Sequence, residues 1–310
     1  MNLQTVTQSG AQPTLSVKLK SWIELSKPEI TLLVFISTMF GFYASAVKTG
    51  IELSSFGFSF IFCLVGGSIM SSAGVSALNQ VFEKDFDLMM DRTKNRPIPS
   101  GKISSRVGLI FGSIFTFTGT ILIGFGVHPI SGILSLLTAI LYLFVYTPLK
   151  RKTPLNTLVG AVPGALPPLG GWIAVSGQFS LEAWILFAVL FAWQIPHFLS
   201  ISWLYRKDYK KAGFKMYCGE QKKGVYRFHI IAFSLLMVYF SLLPSLMGFA
   251  GRLYLFGAVF MGLLFFMAGM GLAIDQNGKT AKIMLKSSVY YLPLLLLLYI
   301  IDTGVPGFVG

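Results

Sequence analysis

Of the 310 residues, 54% are hydrophobic, 15% aromatic and only 12% charged, and mean hydropathy is +0.70. Soluble domains carry roughly a quarter charged residues, so this composition excludes a water-soluble globular fold and points to a lipid bilayer. The formal net charge of +13 would suit nucleic acid, but the placement of that charge along the chain speaks against such a partner.

In chain order, residues 1–20 are polar and contain no arginine, unlike a signal peptide or a mitochondrial presequence; they read as a flexible N-terminal tail. Nine apolar stretches follow, near 30–47, 56–78, 107–127, 129–147, 155–176, 182–204, 227–249, 252–274 and 284–302. A membrane-spanning helix takes about 20 residues, and the runs are continuous rather than alternating, which argues against a barrel. The expected fold is therefore all-α and polytopic: nine transmembrane helices in one domain over 21–304, with a C-terminal tail at 305–310.

Assigned to alternate sides, nearly all basic residues fall on one face. Lys27, Lys84, Arg92, Lys94, Arg96, Lys102, Lys150 to Lys152, Arg206 to Lys215 and Lys279 to Lys286 share it, and only Lys48 and Arg252 face the other way. Basic loops mark the cytoplasmic side. That predicts a cytoplasmic N-terminus and a periplasmic C-terminus in a bacterial inner membrane, with the excess charge attracting anionic lipid.

Two connections are long, roughly 79–106 and 205–226, one after the second span and one after the sixth. This placement predicts two pseudo-repeated four-helix halves plus a ninth helix, a polar cytoplasmic cap and a site between the halves. Span five reads Gly160-Ala-Val-Pro163-Gly-Ala-Leu-Pro167-Pro168-Leu-Gly170-Gly171, and its prolines predict a kink or an unwound segment. Either small residues let helices approach there, or the segment walls a cavity for a bulky substrate. Cys63 and Cys218 make no disulfide framework.

The densest polar insert begins where span two ends. Asn79, Glu83 and Asp87 recur at four-residue steps, so a helix carries them on one face while Asp85 points elsewhere. Such a stripe of hard oxygen ligands suits Mg²⁺, which keeps a few carboxylates together with phosphate oxygens and water. A carboxamide at the end of a spanning segment is costly unless used. Arg92, Lys94 and Arg96 follow within reach and suit phosphate.

Asn79-x-x-x-Glu83-x-x-x-Asp87, followed by Arg92-Thr93-x-x-Arg96-Pro97, resembles the first aspartate-rich motif of the UbiA superfamily of intramembrane prenyltransferases. Glu83 in place of the usual aspartate, Trp193-Gln194-Ile195-Pro196-His197-Phe198 and Asp208-Tyr209-x-x-Ala212-Gly213-Phe214-Lys215-Met216 narrow the likeness to the haem-farnesylating branch. The likeness runs from about Ser26 to the ninth span.

This resemblance implies a helical fold with a central cavity open to lipid, farnesyl diphosphate and haem b as substrates, and Mg²⁺ as cofactor. Haem b is then a substrate rather than a cofactor, and haem O for terminal oxidase biogenesis leaves with diphosphate. Haem A synthase or terminal oxidase assembly proteins are the implied partners.

Carried over residue by residue, Asn79, Glu83 and Asp87 hold the metal, and Arg92 and Arg96, with Lys94 beside them, neutralise the departing phosphate. The second loop departs from the superfamily's second acidic motif, because only Asp208 remains among cations. Asp208 then gives one ligand or orients Lys211 and Lys215 toward phosphate or a haem propionate. His197 is a lone intramembrane histidine: it either contacts haem or bonds a carbonyl freed by Pro196. Phe82, Phe86, Tyr146 and Trp193 are candidates to shield an allylic cation, aromatic faces stabilising cations by about 0.5–2 kcal/mol.

Three other readings compete. Prenylation of an aromatic ring is disfavoured by the single second-loop aspartate and the Trp193–Phe198 string. A secondary transporter would carry charge near the bilayer midplane, whereas these carboxylates cluster at one surface. A haem-binding assembly factor without catalysis leaves the acidic stripe unexplained.

Overall fold

The computed structural model describes residues 15–217 and 223–304; residues 1–14 of the expected tail 1–20, the tail 305–310 and Cys218 lie outside them, while residues 15–20 belong to a helix, Leu15–Leu25. Long apolar runs in lipid leave the backbone no partner but itself, and they fold as helices. The first half holds α1 (Leu15–Leu25), α2 (Pro28–Thr49), α3 (Phe58–Phe82), α4 (Lys84–Leu88), α5 (Ser105–Gly126), α6 (Pro129–Ile140) and α7 (Thr147–Lys152). A π-helical turn, Leu141–Tyr146, joins α6 to α7. Next come α8 (Asn156–Ser176), α9 (Leu181–Leu204), α10 (Arg206–Lys211), α11 (Lys223–Leu246), α12 (Arg252–Ile274) and α13 (Gly278–Gly304). Among the described residues nine helices are long and apolar enough to cross a membrane, α6 through α7 counting as one, and no strand occurs.

The repeat is visible in the order of elements: the second span, α3, is followed by the short α4, and the sixth, α9, by the short α10. Small residues set the closest packing. On α3, a Cβ at Gly67 or Gly74 would press on Gly119 or on Gly112 and Thr116 of α5. On α2, a Cβ at Gly41 would collide with the Pro168 carbonyl of α8, and one at Gly171 of α8 with the Thr38 carbonyl. The main apolar core lies on α8, α9, α11, α12 and α13, around Trp172, Ile195, Ile230, Phe265 and Leu292.

Of the two outcomes expected for span five, a kink or an unwound segment, the second does not occur. Despite Pro163, Pro167 and Pro168, α8 runs as one helix from Asn156 to Ser176 and no segment of it is unwound. Its neighbours hold it: Gln194 donates to the Ala161 carbonyl at 3.3 Å and Ser131 to the Gly170 carbonyl at 2.9 Å, while the glycine contacts press α2 against it. A buried carboxylate at the far end has a similar structural task. Asp302 of α13 accepts from the backbone N–H groups of Gly251 and Tyr254 and so caps the first turn of α12.

Candidate active site at the α3–α4 junction

The site begins with a helix that barely breaks. Glu83 leaves helical geometry between α3 and α4 (φ −102, ψ 9). The Glu83 N–H still donates to the Asn79 carbonyl at 3.0 Å, and the Asp87 N–H to the Glu83 carbonyl at 2.8 Å. The four-residue stripe therefore survives. All three side chains are buried, at 1%, 5% and 1% exposure for Asn79, Glu83 and Asp87, whereas Asp85 is exposed.

Buried carboxylates require partners, and each has a cation. Lys150 of α7 donates to both Glu83 oxygens at 2.8 and 3.0 Å. Arg96 Nη1 donates to both Asp87 oxygens at 3.0 and 2.9 Å. Asn79 donates through Nδ2 to Glu83 Oε2 at 3.0 Å and accepts through Oδ1 from Lys27 at 2.8 Å. Lys27 and Lys150 are the functional side chains that reading the sequence missed, because both counted only as orientation charges.

Local structure delivers both lysines. The side chain of Gln80 donates to the carbonyls of Glu24 and Leu25, and Leu25 packs with Ala77, Ile98 and Ile103, which fixes the α1–α2 joint over α3. There Lys27 adopts a left-handed backbone (φ 45), uncommon without glycine, with Pro28 starting the next helix. On the other side, the π-helical turn lets Thr147 donate to the Tyr142 carbonyl at 2.9 Å. Lys150 sits 4.5 Å from the centre of the Tyr146 ring, and Gly160 leaves that ring its space. Single π turns are frequent at functional sites.

The electrostatics follow from burial and pairing. Burial pushes the Glu83 carboxyl up, but the Lys150 charge and hydrogen bond, with Lys27 and Asn79 behind them, outweigh it and hold Glu83 below the ordinary carboxylate range. Burial, then the nearby Arg96 charge, pushes the Lys27 ammonium down to about 7.

The remaining expected residues form an outer layer. Arg92 stacks on Tyr205 at 4.9 Å, and its backbone N–H donates to Asp208 at 3.4 Å. Lys94 and Lys211 both bind Asp91, at 2.7 and 3.1 Å. The Lys215 backbone bonds Lys150 and Asn156 while its side chain is exposed. These contacts join the segments after α3 and α9, and of the Arg92–Arg96 run only Arg96 reaches the buried carboxylates.

Trp193 and His197 are not brought there. Trp193 Nε1 donates to the Ser288 carbonyl and His197 Nδ1 meets the Ser288 hydroxyl, both at 2.8 Å, so the pair anchors α9 to α13. Residue type drew attention to both, and their partner lies 91 residues or more away in sequence.

Beneath the stripe a cavity with about 870 Å³ of empty space, its open mouth included, runs between α2, α3, α6 and α8. Ile30, Ser76, Tyr142 and Pro163 lie toward the end nearer the stripe, and Leu64, Ile123 and Gly170 toward the far end. Asn79, Glu83 and Asp87 suit a hard divalent cation. All are oxygen donors, and every one of them already accepts from a positively charged group or from a neighbour bound to one.

Comparison with known proteins gives the family and the fold. The profile of the UbiA prenyltransferase family matches residues 34–292. Protoheme IX farnesyltransferase of Solibacter usitatus is 38% identical over 290 residues, spanning 92% of this chain and 99% of that protein. Among solved structures, one concerned with digeranylgeranylglyceryl phosphate synthase in membranes superposes with a TM-score of 0.73 at 22% identity, over 92% of this chain and 98% of that one. A UbiA homologue from Archaeoglobus fulgidus bound to GPP and Mg²⁺ gives 0.63 at 15% identity, over 92% and 100%.

Proposed function

Because this chain belongs to the UbiA prenyltransferase family, we propose that it transfers the farnesyl group of farnesyl diphosphate to a vinyl group of haem b, with addition of water, to give haem O and diphosphate. The observation that carries this reading is the buried Asn79–Glu83–Asp87 row, ringed by Lys27, Lys150 and Arg96, which begins about one helical turn beyond Ser76 in the wall of a long apolar cavity. Mg²⁺ bound by Asn79, Glu83 and Asp87 supplies Lewis-acid neutralisation of the diphosphate.

The protein's own groups do the rest. Arg96 and Lys150, with Lys27, give N–H bonds to phosphate oxygens as the bond to the farnesyl C1 breaks and its electron pair leaves with diphosphate. The ring of Tyr142 lines the cavity and that of Tyr146 lies against Lys150, and both favour the allylic cation. The vinyl carbon attacks C1, water captures the resulting cation on the haem side chain, and one proton is lost to solvent. The Arg92–Asp208 contact joins the two cap segments beside this chemistry, and Lys94, Lys211 and Lys215 lie exposed around it with charge to offer phosphate or a haem propionate.

The working domain is 21–304. It sits in a bacterial inner membrane with its N-terminus in the cytoplasm, and it hands haem O to haem A synthase or terminal oxidase assembly proteins. The test is incubation of the purified chain with haem b, farnesyl diphosphate and Mg²⁺, with and without EDTA, followed by mass analysis of the pigments. Haem O forms in the first case and not in the second. Prenylation of 4-hydroxybenzoate with haem untouched overturns the assignment.

A further inference from the structure

The cavity wall is graduated. On α3, Leu64, Ser68, Ser72 and Ser76 line it at four-residue steps. At about 1.5 Å per residue, Leu64 lies about 18 Å along the helix from Ser76, three turns and a little more. An extended five-carbon isoprenoid unit has four chain bonds of about 1.5 Å, and in zigzag these nearly cover one helical pitch of about 5.4 Å.

The wall is rich in hydroxyls yet presents hydrocarbon. Ser68 donates to the Leu64 carbonyl, Ser72 to Thr31, Thr138 to the Leu134 carbonyl, and Ser71 bonds Ser135 at 2.9 Å. With these groups turned into the protein, small side chains supply width and the exposed atoms are carbon.

The far end is closed. Leu64, 1% exposed, packs with Phe42 and Ala174. Ile123 reaches over α3 only because residue 67 is glycine, where a Cβ would lie 2.6 Å from Ile123 Cγ1. The Ser131 bond to the Gly170 carbonyl ties α6 to α8 across the same end.

We propose that this wall is a length gauge. Three isoprenoid units occupy the three turns below Ser76, and Leu64 with Ile123 stops a fourth. The inference rests on the reading above of a prenyl diphosphate held at Glu83 and Asp87, and it adds which residues select the fifteen-carbon donor.

The test offers geranyl, farnesyl and geranylgeranyl diphosphates at equal concentration with haem b and Mg²⁺, and reads the alkylated haems by mass. The unaltered chain gives mainly the farnesyl product. Ser68→Leu fills the third turn and raises the ratio of geranyl to farnesyl product by about tenfold or more. Leu64→Ala combined with Ile123→Ala opens the floor and raises the ratio of geranylgeranyl to farnesyl product by about as much. The two changes act in opposite directions, so either variant alone decides the question should the other not fold. A folded variant that keeps the original product distribution overturns the gauge and leaves farnesyl transfer standing. Absence of any alkylated haem from the unaltered chain overturns the parent reading instead.

Discussion

The segments that follow α3 and α9 hold equivalent places in the two halves, yet their carboxylates live in different surroundings. Glu83 and Asp87 are at most 5% exposed, and each is clasped through both oxygens by a cation. Asp208 is half-buried and accepts one backbone N–H, from Arg92, at 3.4 Å. An architectural repeat thus supplies two rims, and burial with a matched cation decides which rim holds charge ready for chemistry. Asp208 instead fastens one rim to the other.

The largest effect tests that division directly. Asp87→Asn removes the charge that Arg96 faces and should cut farnesyl transfer on the order of a hundredfold or more, with the protein still folded by circular dichroism. Asp208→Ala should cost about tenfold or less, as expected of a residue that positions others. Equal losses from the two substitutions would dissolve the contrast between the rims.

A stability measurement sharpens the same point. Lys150→Met leaves Glu83 buried without its partner, and breaking such a pair destabilises by about 3–5 kcal/mol. Adding Glu83→Gln should recover much of the loss, and a double-mutant cycle on melting midpoints reads the coupling. The pH dependence has a fixed sign. Lys150 and its neighbours hold the folded Glu83 carboxyl below its ordinary value of 4.5, so the pair's contribution is complete above that pH and is lost as pH falls beneath it. Glu83→Gln should flatten that acid limb by lowering stability at neutral pH, where the pair's contribution is present, toward the value reached in acid.

What could be read from the sequence follows from how far apart the partners are. The Asn79–Glu83–Asp87 stripe was legible because four-residue spacing is a local property of a helix, and Arg96 lies only nine residues from Asp87. The nine spans were legible from hydropathy for the same reason. Lys27 and Lys150 were not, because their partners lie 52 and 67 residues away and a lysine at a span end already has a sufficient explanation in membrane orientation. One further signal was available: a buried carboxylate at Glu83 demands a cation, and Lys150 follows Tyr146 by one helical turn at the end of a span that shares its side with Glu83. The continuity of α8 was hidden for a different reason. Three prolines predict a kink or an unwound segment, and the close approach of α2 at Gly41 and Gly171, which leaves no room for an unwound segment, is not visible in the sequence.

The smallest effect lies between the two rims, at Asp91. Its carboxylate binds Lys94 within its own segment and Lys211 from the other, so on paper it is the most direct bridge of the cap. Hydrogen bonds from Lys94 and then Lys211 hold it down to about 2. With the folded value depressed, the contribution is present above the ordinary 3.8 and fades only as pH falls toward 2, so nothing changes across a working range near neutrality. All three side chains are exposed, where water and salt screen such pairs to little net value. Asp91→Asn should therefore leave the melting midpoint and the rate of farnesyl transfer where they were, at low salt as at high. A clear loss at low salt that disappears on adding salt would show that the cap is held by surface charge, and it would move the joint between the halves from the Arg92–Asp208 contact to Asp91.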